Sequence, residues 1–231
     1  MVLRAVFLDV GNTLVRERPS RFEIYALVAR AHGLPVETER MNQLMRKAHR
    51  ELPREIAGAW RYTERWFEAY IERIFAVELG LAPERLPGLS RELFARFADP
   101  ATFELFPGAA ELCESLRARG LVVGLVSNWS HRLPRLIEQL GLATRTDFVL
   151  CSAIERLEKP DEELFRRALL RAGVRADEAL HAGDDLEKDF RGARRAGLRA
   201  VLVDHDGTLA SESPRVRNLP ELGEWIERLC A

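Results

Sequence analysis

Cysteine is scarce in these 231 residues, and so is lysine. The three cysteines, Cys113, Cys151 and Cys230, are odd in number, and none forms a C-x-x-C pair. That excludes a disulfide framework and a clustered zinc site, and it sets the expectation of a reduced, cytoplasmic protein. A surplus of either charge is also missing, since the net charge is −1. A chain so balanced carries no electrostatic footprint for nucleic acid or an anionic membrane, and neither partner is expected. Arg46, Lys47, Arg50 and Arg54 stand among acids and read as a solvated helix face. No apolar run approaches the length of a membrane span. Asp9 interrupts the N-terminal apolar run before it reaches signal-peptide length, so no such segment is expected. Lysine occurs only at positions 47, 159 and 188, against 32 arginines, so each lysine is an unusual choice.

What is present fits a globular protein: 47% of residues are apolar and 31% charged. The length allows one large domain or two small ones with ample core. Residues 1–9 read as a strand. Residues 16–100 then read as almost entirely helical, with helices over 21–32, 37–52, 60–79 and 89–97. Trp66, Phe67, Tyr70, Ile71, Ile74 and Phe75 recur at helical spacing on the third, which marks them as core. Beyond Asp99-Pro100 the pattern changes. Helices at 108–119, 133–140, 161–171, 186–196 and 221–229 alternate with strands at 121–126, 148–151, 179–182 and 199–203. Alternation of this kind predicts a parallel sheet with right-handed crossovers. The expected fold is α/β: a Rossmann-like parallel core of residues 1–15 and 101–231, with a helical cap of 16–100 inserted after the first strand.

Polar groups cluster where these strands end. Asp9 closes the apolar run Val6-Phe7-Leu8, and a carboxylate there is costly unless its charge is used. Ser127 follows Leu121–Val126. Asp184, Asp185 and Asp189 follow Leu180-His181-Ala182-Gly183. Lys159 precedes Pro160-Asp161 at a helix start, where a cap belongs, yet lysine is not a capping residue. In a parallel sheet all of these face one carboxyl edge, where ligands bind. Converging carboxylates repel unless a hard cation joins them, and Mg²⁺ is the usual one beside phosphate. Asp9 then suits a nucleophile that accepts a phosphoryl group, with Ser127 and Lys159 as donors to its oxygens.

Together, Asp9–Leu14, Ser127-Asn128, Lys159-Pro160 and Gly183-Asp184 with Asp189 resemble the four motifs of the haloacid dehalogenase superfamily. Phe106-Pro107-Gly108 resembles that family's re-entry into the core. The resemblance implies a Mg²⁺-dependent phosphatase of a small phosphorylated metabolite, a monomer or homodimer, working through an aspartyl-phosphate on Asp9. It implies Mg²⁺ on Asp9, the Gly11 carbonyl and Asp184, with Asp185 or Asp189 in support. It implies Asn12, Thr13, Ser127, Asn128 and Lys159 as substrate-binding residues. One position departs: family phosphatases carry a second Asp two residues after the nucleophile, and here it is Gly11. Metal-independent haloacid dehalogenases lack that Asp as well. So do phosphonate hydrolases that form a Schiff base on a cap lysine, here Lys47. A nearly inactive binding protein on the same fold is a further alternative.

A look-alike of the first motif stands at Asp204-His205-Asp206-Gly207-Thr208-Leu209. Too little chain follows it for the other stations, so it reads as the exit loop of the last core strand. Arg16, Arg18 and Arg21 lie near the expected hinge. Trp129 is a candidate for the mouth of the pocket.

Overall fold

A computed structural model describes residues 2–208 and 214–230. The chain forms two compact units, Met1–Arg16 with Leu105–Ala231, and Glu17–Glu104. The first unit begins with β1 (Ala5–Leu8), whose four residues are all buried. β2 (Val15–Glu17) leaves it.

The second unit is helical. α1 (Arg21–Ala31) starts on a capping box, with Glu23 N–H donating to Ser20 Oγ (3.3 Å) and Ser20 N–H to Glu23 Oε2 (2.9 Å). α2 (Thr38–Glu51) follows. β3 (Glu55–Ile56) and β4 (Ala59–Trp60) form an antiparallel hairpin. α3 (Glu64–Glu72) continues as a π-helical stretch, Arg73–Glu78, and α4 (Leu86–Ala98) completes the unit. Helical spacing predicts the third helix from residue 60. The hairpin takes Ala59-Trp60 instead, and Ala57 turns it in the left-handed region at φ 48°. Trp66, Tyr70, Ile71, Ile74 and Phe75 are buried in this unit's core. Trp66 stacks on Tyr70 with centroids 5.3 Å apart.

The chain returns through β5 (Phe103–Leu105), which forms a two-stranded sheet with β2. Within the first unit, Phe106 N–H donates to Leu14 O (2.9 Å). Then come α5 (Ala109–Ala118), β6 (Val122–Ser127), α6 (Leu133–Gln139), β7 (Phe148–Cys151), the short α7 (Ser152–Glu155) and α8 (Glu162–Ala172). β8 (Ala179–Gly183) leads into a π-helical turn, Leu186–Arg191, and α9 (Gly192–Arg195). β9 (Arg199–Val203), β10 (Arg215–Val216) and α10 (Leu219–Cys230) close the unit. The sheet order is β10-β9-β8-β1-β6-β7, and all the pairs are parallel. This is the expected parallel α/β core.

β1 lies between β6 and β8, with Leu8 opposite Leu125 on one side and Ala182 on the other. The chain runs outward from β1 to β6 and β7, then crosses to β8 and β9. The order therefore reverses beside β1, and a crevice forms at the carboxyl end of such a switch point. Asp9 is the next residue after β1. Among the described residues no helix is long and apolar enough to cross a membrane.

Candidate active site

Three elements bring donors to the Asp9 carboxylate, which is itself buried. Ser127, the last residue of β6, donates its hydroxyl to Asp9 Oδ1 (2.9 Å). Lys159 Nζ, just before α8, donates to the same oxygen (2.5 Å) and also to Asp189 Oδ1 (2.5 Å). Thr13 Oγ1 donates to Asp9 Oδ2 (3.3 Å) and lies 3.5 Å from Asp184 Oδ1. Asn12 takes φ 57°, the left-handed turn that its type tolerates. That turn folds Leu14 and Val15 back so that their N–H groups donate to Val10 O (2.9 Å each). Gly11 forms a bridge with Val15 and brings only backbone to the loop.

Close backbone approach makes the arrangement possible. A Cβ on Gly183 would lie 2.3 Å from Asp189 Cγ, and one on Gly192 would lie 2.9 Å from Pro160 Cβ. Any side chain at 183 would push Asp189 off Lys159. Any at 192 would push the Lys159-Pro160 segment away from the helix.

The charges explain each other. Burial raises the Asp9 carboxyl, with Asp189 adding and Lys159 opposing. Asp184 is pushed up to about 8, first by burial and then by Asp9 and Asp189. Burial alone would raise Asp189 too, but the Lys159 charge and the His181 hydrogen bond outweigh it and hold that carboxyl well below its usual range. Burial alone would lower Lys159, and the two carboxylates instead hold it well above its usual range. One ammonium thus bonds two carboxylates, and its weaker pull on Asp184 is outweighed there by burial and the neighbouring carboxylates.

Hard oxygen donors with surplus negative charge suit a divalent cation. Oxygens of Asp9, Asp184 and Asp189 all lie within 4.8 Å of one another. Within that group Asp189 is already engaged. Its Oδ1 accepts from Lys159 and His181 (2.9 Å), and its Oδ2 accepts from Asp185 N–H (3.1 Å). Asp9 and Asp184 are the members suited to hold Mg²⁺ directly, and Asp189 anchors Lys159.

Other candidates fall elsewhere. Asp185 caps the π-helical turn: its Oδ1 accepts from the N–H groups of Glu187 (3.0 Å) and Lys188 (2.9 Å), and its Oδ2 from Lys188 Nζ (2.6 Å). Asn128 was expected to touch substrate. Its amide clasps the backbone of Lys159, accepting from the N–H (2.8 Å) and donating to the carbonyl (2.9 Å). It thereby fixes the lysine. Lys159 does not occupy the capping position, because Asp161 caps α8 by accepting from Glu163 N–H (3.0 Å). Lys47 is half-exposed and paired with Glu78 (2.9 Å) within the helical unit, the ordinary use of a helix-face lysine. Arg18 pairs with Glu104 (3.3 Å) and Arg21 with Glu17 (2.8 Å). Trp129, half-buried, donates its backbone N–H to Ser152 Oγ (3.0 Å).

His181 was passed over in the sequence. It is fully buried, and its Nε2 faces Asp189 Oδ1, so that nitrogen carries the proton and donates. Burial lowers its basicity, which keeps the ring neutral. The signal was there: a histidine inside the apolar strand Leu180–Ala182 needs a partner.

At the parallel-sheet switch point, Lys159 thus bridges the buried Asp9 carboxylate to Asp189, with Asp184 beside them. The chain belongs to the haloacid dehalogenase-like hydrolases, whose family model matches residues 3–197. It is 30% identical to the haloacid dehalogenase-like hydrolase domain-containing protein 3 of Bos taurus, over 98% of this chain and 94% of the relative. It is 32% identical to a phosphoserine phosphatase of Thermus thermophilus, over 95% and 98%. Its fold matches that of a HAD phosphatase from Thermococcus onnurineus with TM-score 0.68 at 23% identity, covering 97% of this chain and 98% of that one.

Proposed function

We propose that this hydrolase is a Mg²⁺-dependent phosphatase that transfers the phosphoryl group of a small metabolite to Asp9 and then to water. The observation that carries the reading is the buried Asp9 carboxylate at the switch point, with Ser127 and Lys159 both donating to one of its oxygens. The phosphatase relative supports the substrate class. An Asp9 oxygen attacks phosphorus, the bond to the leaving oxygen breaks, and that oxygen keeps the electron pair. Ser127 and Lys159 then donate to the phosphoryl oxygens, as an oxyanion site does. Asn128 and Asp189 hold Lys159 in place for this. Asp9 and Asp184 would hold the cation, which neutralises charge on the transferring group. The helical unit would act as a cap that excludes water and selects the substrate.

The test is turnover of an aryl phosphate by the full chain, with Mg²⁺ and with chelator, beside Asp9→Asn. Turnover that needs both the cation and Asp9 is the expected result. Turnover unchanged in Asp9→Asn, or indifferent to chelator, would sink the proposal.

A further inference from the structure

A phosphoryl group on Asp9 leaves behind an oxygen that carries an electron pair. If that oxygen belongs to an alcohol, it needs a proton as the bond breaks. The described side chains that reach the Asp9 carboxylate are Thr13, Ser127 and Lys159. None is built to hand over a proton. The first two are neutral hydroxyls, whose acidity resembles that of water, about 16. The third spends its ammonium on two carboxylates at 2.5 Å each. Gly11, in the same loop, has no side chain. His181 is fully buried with Nε2 held by Asp189. Asp184 belongs to the carboxylate cluster suited to the cation.

Resting on the phosphatase reading above, we infer that the site is matched to phosphoryl donors whose leaving group is already a stable anion: an acyl phosphate or a related mixed anhydride rather than an alkyl phosphate. Carboxylic acids ionise near pH 4 and phenols near pH 10, roughly, whereas an alcohol resembles water. With an acyl phosphate the steps balance without an acid. Asp9 attacks phosphorus, the bond from phosphorus to the acyl oxygen breaks, and a carboxylate departs with the pair. Water then attacks the same phosphorus, the bond to Asp9 breaks, and both water hydrogens stay on the product, dihydrogen phosphate. The Asp9 carboxylate is restored.

The experiment measures kcat/KM of the full chain with Mg²⁺ on acetyl phosphate, p-nitrophenyl phosphate, phenyl phosphate and glycerol phosphate. Asp9→Asn supplies the uncatalysed background. The expected result is a steep series. It should fall at least about 100-fold from the anhydride to phenyl phosphate and again to the alkyl ester, the low end of what a missing acid costs. A second measurement is the solvent deuterium isotope effect on the phenyl ester, expected near unity because no proton moves in the step. A flat series, or an isotope effect clearly above unity, overturns the inference and leaves the phosphatase reading standing. No turnover of any donor, the anhydride included, overturns both.

Discussion

Two loops of the core unit share Asp, Thr and Leu at the same spacing, and only one of them carries the candidate site. Asp9-Val10-Gly11-Asn12-Thr13-Leu14 follows β1; Asp204-His205-Asp206-Gly207-Thr208-Leu209 follows β9, and Leu209 lies outside the described residues. By letters alone the second resembles a phosphatase motif more closely, since it has both carboxylates. Asp9 leaves the central strand and meets donors from β6 and from the segment before α8. Asp204 leaves a strand nearer the sheet edge. Its Oδ1 accepts from Thr208 N–H (3.0 Å), and Oδ2 lies 3.5 Å from Arg215. That is turn chemistry with a paired charge.

The second loop nevertheless serves the first. His205 donates from Nε2 to Thr13 O (3.0 Å) and stacks flat on Phe106, with centroids 3.8 Å apart and planes at 4°. Arg16 lies over the Phe106 ring, 5.0 Å from its centroid. The look-alike therefore braces the loop that holds the nucleophile. What a carboxylate does is set by where its strand sits in the sheet.

The comparison breaks hardest at its first residue. Asp9→Asn should abolish turnover, by at least about 10³-fold, since the nucleophile is gone; kcat/KM on an aryl phosphate reads it. If Asp206→Asn caused a comparable loss, the two loops would have to exchange roles.

Gly11→Asp moves the second loop's carboxylate into the first. Gly11 is not among the positive-φ residues, so its φ does not bar a side chain. Turnover of alkyl phosphates should rise about 10²-fold if the new carboxyl acts as an acid, while the anhydride rate stays level. No gain on the alkyl ester in a folded variant would count against a missing proton donor.

Charge balance separates the loops as well. Asp184 beside the first loop has its carboxyl pushed up to about 8 in the cation-free protein, by burial and then by Asp9 and Asp189. Below that pH the folded protein carries a proton that a cation must displace. The affinity for Mg²⁺ should therefore fall as pH drops from 8, approaching about tenfold per unit for one proton. Calorimetric titration at several pH values reads this, and pH-independent affinity would contradict it.

His205→Ala removes the brace. It should lower kcat about tenfold with KM little changed, because a slight misplacement of the nucleophile costs rate before binding. His205→Asn, which can still donate a hydrogen bond but cannot stack as an imidazole does, should recover part of the loss. Equal loss in both would assign the effect to the stack. The smallest effect is that of Asp206→Asn, expected to leave turnover within about twofold, as surface changes do.

Much of this was legible because it is local. Apolar runs of strand length, glycines past helix ends and polar residues after each strand follow from backbone physics within a few residues. They yielded the parallel core, the helical insertion and Asp9, Ser127, Lys159 and Asp184 as one group. Short-range chemistry did not separate Asp185 from Asp189. Both are aspartates at a helix start, and only the fold turns one onto the helix N–H groups and buries the other against Lys159 and His181. The hairpin at Glu55–Trp60 was missed because its strands are two residues each, too short to show a period. The clasp of Asn128 on the Lys159 backbone was not legible because the two lie 31 residues apart.

By itself the sequence determined the alternation of strands and helices in the core, the carboxylate at the end of its first strand and the absence of a side chain at position 11, because each depends on residue type and near neighbours. Tertiary structure alone decided which of two similar loops became the site, which aspartate anchors the lysine and that His205 braces Thr13. Those outcomes depend on which strand lies at the centre of the sheet, where donors from distant segments converge on a buried charge that solvent cannot reach.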